Sequence, residues 1–129
     1  EYYRNIMWGI KDAGIRLVAA CMTDYIGEQN AVRIEDLAGR VGMNERVVRD
    51  ILATLTTSYG WPIGAHAGRA GRWIVENEDE RWAVLGDLGS RVRELNKRYD
   101  ALLTAKIPST LELNRKQAEV MQTNLFGGA

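Results

Sequence analysis

Two groups of side chains in this sequence have the types and spacing to do polar chemistry. Asn44, Arg46 and Arg49 fall within "NERVVR", and His66, Arg69 and Arg72 fall within "GWPIGAHAGRAGRWIV", residues 60–75. The second stretch holds four of the 13 glycines and no acidic residue, so its polar side chains are all basic. Guanidinium and imidazole N–H groups donate to anions, and the planar fork of arginine matches a phosphate or the edge of a guanine. That is the chemistry of recognition. Catalysis has far less to draw on. The one cysteine, Cys21, and the one histidine, His66, are remote in sequence and make a weak nucleophilic pair. No cluster of metal ligands occurs. "GAHAGRAG" lacks the Gly-Lys-Ser/Thr ending of a phosphate-binding loop, and no helix follows it directly. We therefore expect no catalytic residues, no bound metal and no cofactor.

Composition narrows the classes further. At 129 residues the chain is long enough for one domain with a sizeable core. Seventeen basic and 17 acidic residues give a formal net charge of zero, which argues against a protein that coats nucleic acid by charge alone. Any such contact must come from a local patch. A single cysteine excludes an internal disulfide, and Cys21, in "GIRLVAACM", reads as a small buried hydrophobe. No stretch of about 18 apolar residues is present, so no membrane partner is expected, and the cytoplasm of a bacterium or of an infected host is the expected compartment.

The elements that must position these groups can be read from periodicity. In residues 1–30, Ile6, Ile10, Leu17, Val18, Cys21, Met22 and Tyr25 follow the helical period. Gly9 and Gly14 weaken its middle, which predicts two helices or one with a break. "RIEDLAGRV" is a short amphipathic helix, with Ile34, Leu37 and Val41 on one face. After "GMN", a second helix begins with Asn44 as its N-cap and buries Val48, Ile51, Leu52 and Leu55. "WPIGAHA" and "GRWIV", around "GRAG", read as a β-hairpin on which Trp61 and Trp73 anchor. The fold class expected is mainly α with a small β-hairpin.

The two short helices carry a specific steric pattern. Ala38 is small where a second helix must cross the first, and Gly42 supplies a sharp turn four residues later. Leu37, Val41, Met43, Val48 and Ile51 fill the angle between the helices. This segment resembles the helix-turn-helix of bacterial and phage DNA-binding proteins. With a helix before it and a hairpin after it, residues 13–75 resemble a winged helix-turn-helix domain. The resemblance implies double-stranded DNA as the partner, with the second helix in the major groove and the hairpin, the wing, along the backbone or minor groove. It implies DNA-binding roles for Asn44, Arg46, Arg49, His66, Arg69 and Arg72. Glu45 and Asp50 oppose strong affinity. Residues 31–75 hold six arginines against four acids, a modest excess. A winged helix that serves only as a protein-interaction scaffold is the alternative.

Residues 1–12 precede this region as an N-terminal helix, and residues 76–106 follow it as a long amphipathic helix. Leu85, Leu88, Val92, Leu95, Tyr99 and Leu102 alternate by three and four, the a/d seam of a coiled coil. The early part, through Trp82 and Leu85, has the option of packing back on the domain. Val92, Leu95, Tyr99 and Leu102 form the expected dimerisation face of a homodimer. Residues 107–129 read as a flexible, polar tail. Its "QTNLF", residues 122–126, resembles the motif by which bacterial replication and repair proteins bind the sliding clamp of DNA polymerase. That resemblance implies a clamp partner held by Gln122, Leu125 and Phe126, with Thr123 standing where many members have leucine. Together the two resemblances point to replication or transcriptional control by a phage or bacterial protein, the tail favouring replication, or, without DNA binding, to an adaptor or inhibitor docked on the clamp.

Overall fold

In a computed structural model the chain forms six helices and three short strands among residues 1–126, the residues that the structure describes; the side chains of 111–113 and 122–126 lie outside that description. Two compact units divide it, Glu1–Arg91 and a second unit starting at Val92.

The first unit opens with α1 (Tyr2–Ile6), a 3₁₀ turn at Met7–Gly9, and α2 (Ala13–Met22). The break predicted at the glycines falls at residues 10–12. Asp12 restarts the chain, its carboxylate accepting from Ile15 N–H at 2.9 Å as an N-cap. Helices α3 (Ile34–Val41) and α4 (Glu45–Tyr59) follow. Strands β1 (Val32–Arg33), β2 (Ile63–Gly64) and β3 (Gly71–Ile74) make an antiparallel sheet in the order β1-β3-β2, with Val32 opposite Arg72 and Gly64 opposite Trp73. The result is mainly α with a small β element, as the sequence pattern requires. β1 is the one strand the pattern does not announce, because two residues are too few to display a period.

The core explains the helix faces. Val18, Met22, Ile34, Leu37, Val48, Leu55 and Ile74 are fully buried, and Ile10, Ala38, Val41, Leu52 and Trp61 join them. Burying one such side chain contributes about 1.5–3 kcal/mol relative to leaving it in water. Cys21 is buried among them as a free thiol. Two apolar residues of the N-terminal pattern depart from it and stay exposed: Ile6, in a helix that buries none of its residues, and Leu17, to the side of the α2 face that buries Val18, Cys21 and Met22.

The turn between α3 and α4 is where the steric pattern acts. Ala38 is buried beneath the crossing. Gly42 adopts φ +69° and ψ +32°, the left-handed conformation that closes a helix, and Met43 N–H returns to Ala38 O at 3.1 Å. A residue with a Cβ is strained at that φ. Asn44 then caps α4, its Oδ1 accepting from Val47 N–H at 2.8 Å. The sheet has its own tight point at Gly64. A Cβ there would lie 2.6 Å from the Trp73 ring, so only glycine lets the indole lie flat across β2.

Helix α5 (Glu78–Thr104) begins in the first unit, and its later part belongs to the second. Its early seam departs from expectation. Trp82 and Leu85 are exposed, and Val84 is the residue that enters the core. Adjacent residues of a helix point about 100° apart, so the side that buries Val84 is not the a/d side carrying Leu85. Ala105–Ile107 separate α5 from α6 (Pro108–Phe126). The sequence reading takes this last segment as a flexible tail, whereas the structure makes it a helix. Proline is tolerated in the first turn, where its missing N–H has no partner to lose, and Leu, Glu, Lys, Gln, Ala and Met that follow are good helix formers despite the lack of a continuous apolar face.

Candidate nucleic-acid interface

Helix α4 spends one face on the core and leaves the other in solvent. Glu45, Arg46, Val47, Arg49 and Asp50 are exposed around its first two turns, while Val48, Leu52 and Leu55 point inward. Arg46 has no hydrogen bond or ion pair among the described residues. Arg49 meets Glu45 one turn earlier at 3.6 Å, with both side chains about half exposed. Such a pair is worth a few tenths of a kcal/mol at most, roughly 0.3–0.5, so it leaves the guanidinium available. Asn44 is engaged as the cap through its Oδ1.

The hairpin stands beside α4. Its turn is closed by Arg69 N–H donating to His66 O at 3.2 Å, with Gly68 at φ +73°. Trp61 and Trp73 are each only 2% exposed, so they anchor the hairpin and present no ring for stacking on a base. Tyr3 of α1 packs on Trp61 with ring centroids 5.0 Å apart.

The three basic residues of the hairpin differ in their fates. Arg69 is exposed at the turn. Arg72 is half-buried, and its Nη1 donates to Gly71 O at 3.0 Å and, more weakly, to Arg69 O at 3.4 Å. Burial pulls its guanidinium below arginine's usual value, and the charges of Arg49 and Arg91 push the same way. His66 is not offered outward. Its side chain is 17% exposed, Nδ1 meets Asp87 Oδ2 at 2.5 Å, and Nε2 meets Glu28 Oε1 at 2.9 Å. Carboxylates only accept, so both ring nitrogens donate only when the ring carries both protons. The ring also lies 5.2 Å from the Trp73 ring. His66 therefore fastens the hairpin to the rest of the unit, a role that its place in a basic stretch does not suggest.

Four residues complete this arrangement without having been singled out in the sequence: Glu28, Glu80, Asp87 and Arg91. Glu80 accepts from Trp73 Nε1 at 3.1 Å, Glu76 N–H at 3.0 Å and Glu28 N–H at 3.1 Å, while its own N–H is capped by Asn77 Oδ1 at 2.9 Å. Its burial alone raises its pKa, but these three donors outweigh that and hold it below the ordinary carboxylate value. The hydrogen bond from His66 does the same to Asp87. The contacts of Glu28 with Glu80 and of His66 with Glu28 and Asp87 span 52, 38 and 21 residues, so no local period could have revealed them.

The chain matches no family model, no curated protein and no solved structure. The arrangement must therefore be judged on its own chemistry. It brings Arg46 and Arg49 of α4 to the same unit as Arg69 and Arg72 of the hairpin, and it withdraws His66. Gln122, Leu125 and Phe126, expected from the sequence to hold a clamp partner, have side chains outside the described residues. No helix among the described residues is long and apolar enough to cross a membrane.

Both depressed carboxylates stabilise the fold above their ordinary values, 4.5 for Glu80 and 3.8 for Asp87, and that stability is lost as pH falls through their lower folded values. The expected outcome is a melting temperature that drops as pH is lowered from 5 toward 2, with Glu80→Gln flattening the drop. Thermal melts followed by Trp fluorescence across that range measure it. An unchanged slope in Glu80→Gln would contradict the role assigned to this residue.

Proposed function

We propose that this chain is a winged helix protein that binds double-stranded DNA, with α4 reading the major groove and the β2–β3 hairpin lying along the backbone. The observation that carries the reading is the outward face of α4. Two exposed arginines of α4, Arg46 with no side-chain partner among the described residues and Arg49 loosely paired, belong to the same unit as a hairpin whose exposed polar group, Arg69, is also cationic. Neither the Arg46 nor the Arg69 side chain has a partner among the described residues, so both are available to an anion brought up from outside. Arginine is also the side chain best fitted to phosphate and to the N7 and O6 of guanine. The order helix, strand, helix, turn, helix, hairpin supports the same reading, since it is the connectivity of that domain type.

The zero net charge shapes the expected behaviour. Binding depends on a small patch, so it should be weak at physiological salt without the right sequence and steeply salt-dependent. DNA binding of this kind suits replication or transcriptional control, and the tail's resemblance to a clamp-binding motif favours replication. On the second reading that same motif docks the chain on a sliding clamp while the first unit serves as scaffold. A clamp captured by the chain but not by its Phe126→Ala variant, with no duplex affinity at any salt, would favour that reading.

A second copy of the chain is the proposed partner for α5. Val92, Leu95, Tyr99 and Leu102 recur at heptad spacing and are 53%, 54%, 67% and 79% exposed, and every residue of the second unit whose side chain is described is exposed. A helix with a continuous apolar seam and no core of its own gains most by pairing that seam. A dimer also suits a domain type that reads paired half-sites.

Replacing both Arg46 and Arg49 with Ala should abolish measurable duplex binding in a low-salt anisotropy titration and leave the melting temperature within a few degrees. Unaltered affinity would remove α4 from the interface. Light scattering should give a dimer for the native chain and a monomer for Leu95→Lys; a native monomer at concentrations of tens of micromolar would overturn the pairing.

A further inference from the structure

The apolar seam of α5 is regular beyond its alternation of three and four. Leu88, Leu95 and Leu102 recur at every seventh residue, the d positions of a heptad in which Leu85, Val92 and Tyr99 take a. All six side chains are exposed. Leucine at d with a β-branched residue at a, here Val92, suits two strands that run parallel. In two copies these side chains expose on the order of 1,000 Å², the size from which an interface becomes specific.

The surface of the seam is shaped for a helix. A hollow on α5 is lined by Leu95, Asn96, Arg98, Tyr99 and Leu102. Leu95, Arg98, Tyr99 and Leu102 stand at i, i+3, i+4 and i+7, the kind of four-residue hole that receives one side chain of a facing helix.

Charge selects the direction. The e positions beside the seam are Trp82, Gly89, Asn96 and Leu103, and the g positions are Val84, Arg91 and Arg98. In a parallel pair each g residue meets the next heptad's e residue across the seam. Arg91 then meets the partner's Asn96, and Arg98 meets the partner's Leu103. In an antiparallel pair g meets g, which sets Arg91 against the partner's Arg98. Asp87 offsets Arg91 in part, but no acid stands at an e or g position. The ion pair that this stretch makes, Glu94 with Lys97 at 3.2 Å, lies on c and f, away from the seam.

We propose that the α5 helices of two copies pair in parallel and in register, each Tyr99 beside the partner's Tyr99. The proposal rests on the dimer reading given above and adds its direction and alignment. Tyr99 sets the alignment, because a slip of one heptad would put its hydroxyl against Val92. Each chain runs from its first unit into α5, so both first units join the pair at the same end. That suits one duplex bound by two copies.

The test uses the full chain carrying Leu88→Cys or Leu102→Cys, two exposed positions outside the core. Cys21 is buried, so the native chain is the control without linkage. A disulfide needs Cα atoms within about 7 Å of each other. The two positions are about 21 Å apart along the helix, so in an antiparallel pair at most one of them meets its own copy. Mild oxidation should convert both variants to covalent dimers on a non-reducing gel, and adding Leu95→Lys should abolish the linkage. Linkage of one variant alone, or of neither, in a chain that light scattering shows to be a dimer would overturn the parallel register and leave the pairing standing. Linkage undiminished by Leu95→Lys would overturn it too, since chance collision would explain it. A native monomer would instead overturn the dimer reading on which the proposal rests.

Discussion

The reversal of the chain at Gly42 governs what this molecule can present. α3 must end within a few residues of where α4 begins, and the two must cross closely enough to exclude water. Ala38 permits the approach because its side chain is one methyl group. Gly42 permits the turn because it takes a left-handed conformation that other residues enter only at a cost of about 1–2 kcal/mol. Once both conditions hold, the apolar period of α4 fixes its rotation. Val48, Leu52 and Leu55 must face the core, and Arg46 and Arg49 must then face solvent. The direction of the candidate interface is thus a consequence of core packing, with no separate device needed to aim it.

A second constraint sets the position of the hairpin. Two-residue pairings such as those of β1 and β2 with β3 are too short to hold a hairpin in place by ladder hydrogen bonds alone. Side chains supply the remainder. Trp61 and Trp73 sink into the unit, Glu80 gathers the Trp73 indole and two backbone amides, and His66 ties the turn to Glu28 and Asp87. The start of α5 is therefore part of the hairpin's support.

What the sequence made legible follows from range. The amphipathic faces of α2, α3 and α4, the cap at Asn44 and the turn at Gly42 all depend on residues a few positions apart, and all could be read. The anchoring of the two tryptophans could be read as well, because large aromatic rings flanking a glycine-rich turn have few places to go but inward. The partners of His66 could not, since Asp87 and Glu28 are 21 and 38 residues distant. A histidine in a basic stretch looks like a ligand for phosphate until its acids are found. Arg91 escaped for the same reason, being unremarkable within a helix of mixed charge. β1 is too short for a period, and α6 is helical through propensity and an initial proline, with no apolar stripe to signal it.

The central claim is that the outward face of α4 and the adjoining hairpin form a surface for duplex DNA. Amide chemical shifts of the isotopically labelled chain, followed as a short duplex is added at low salt, test it residue by residue. The account predicts that the largest changes fall on residues 44–50 and 66–72, and that they disappear as salt is raised. Changes confined to the second unit, or no changes at all at low salt, would contradict it.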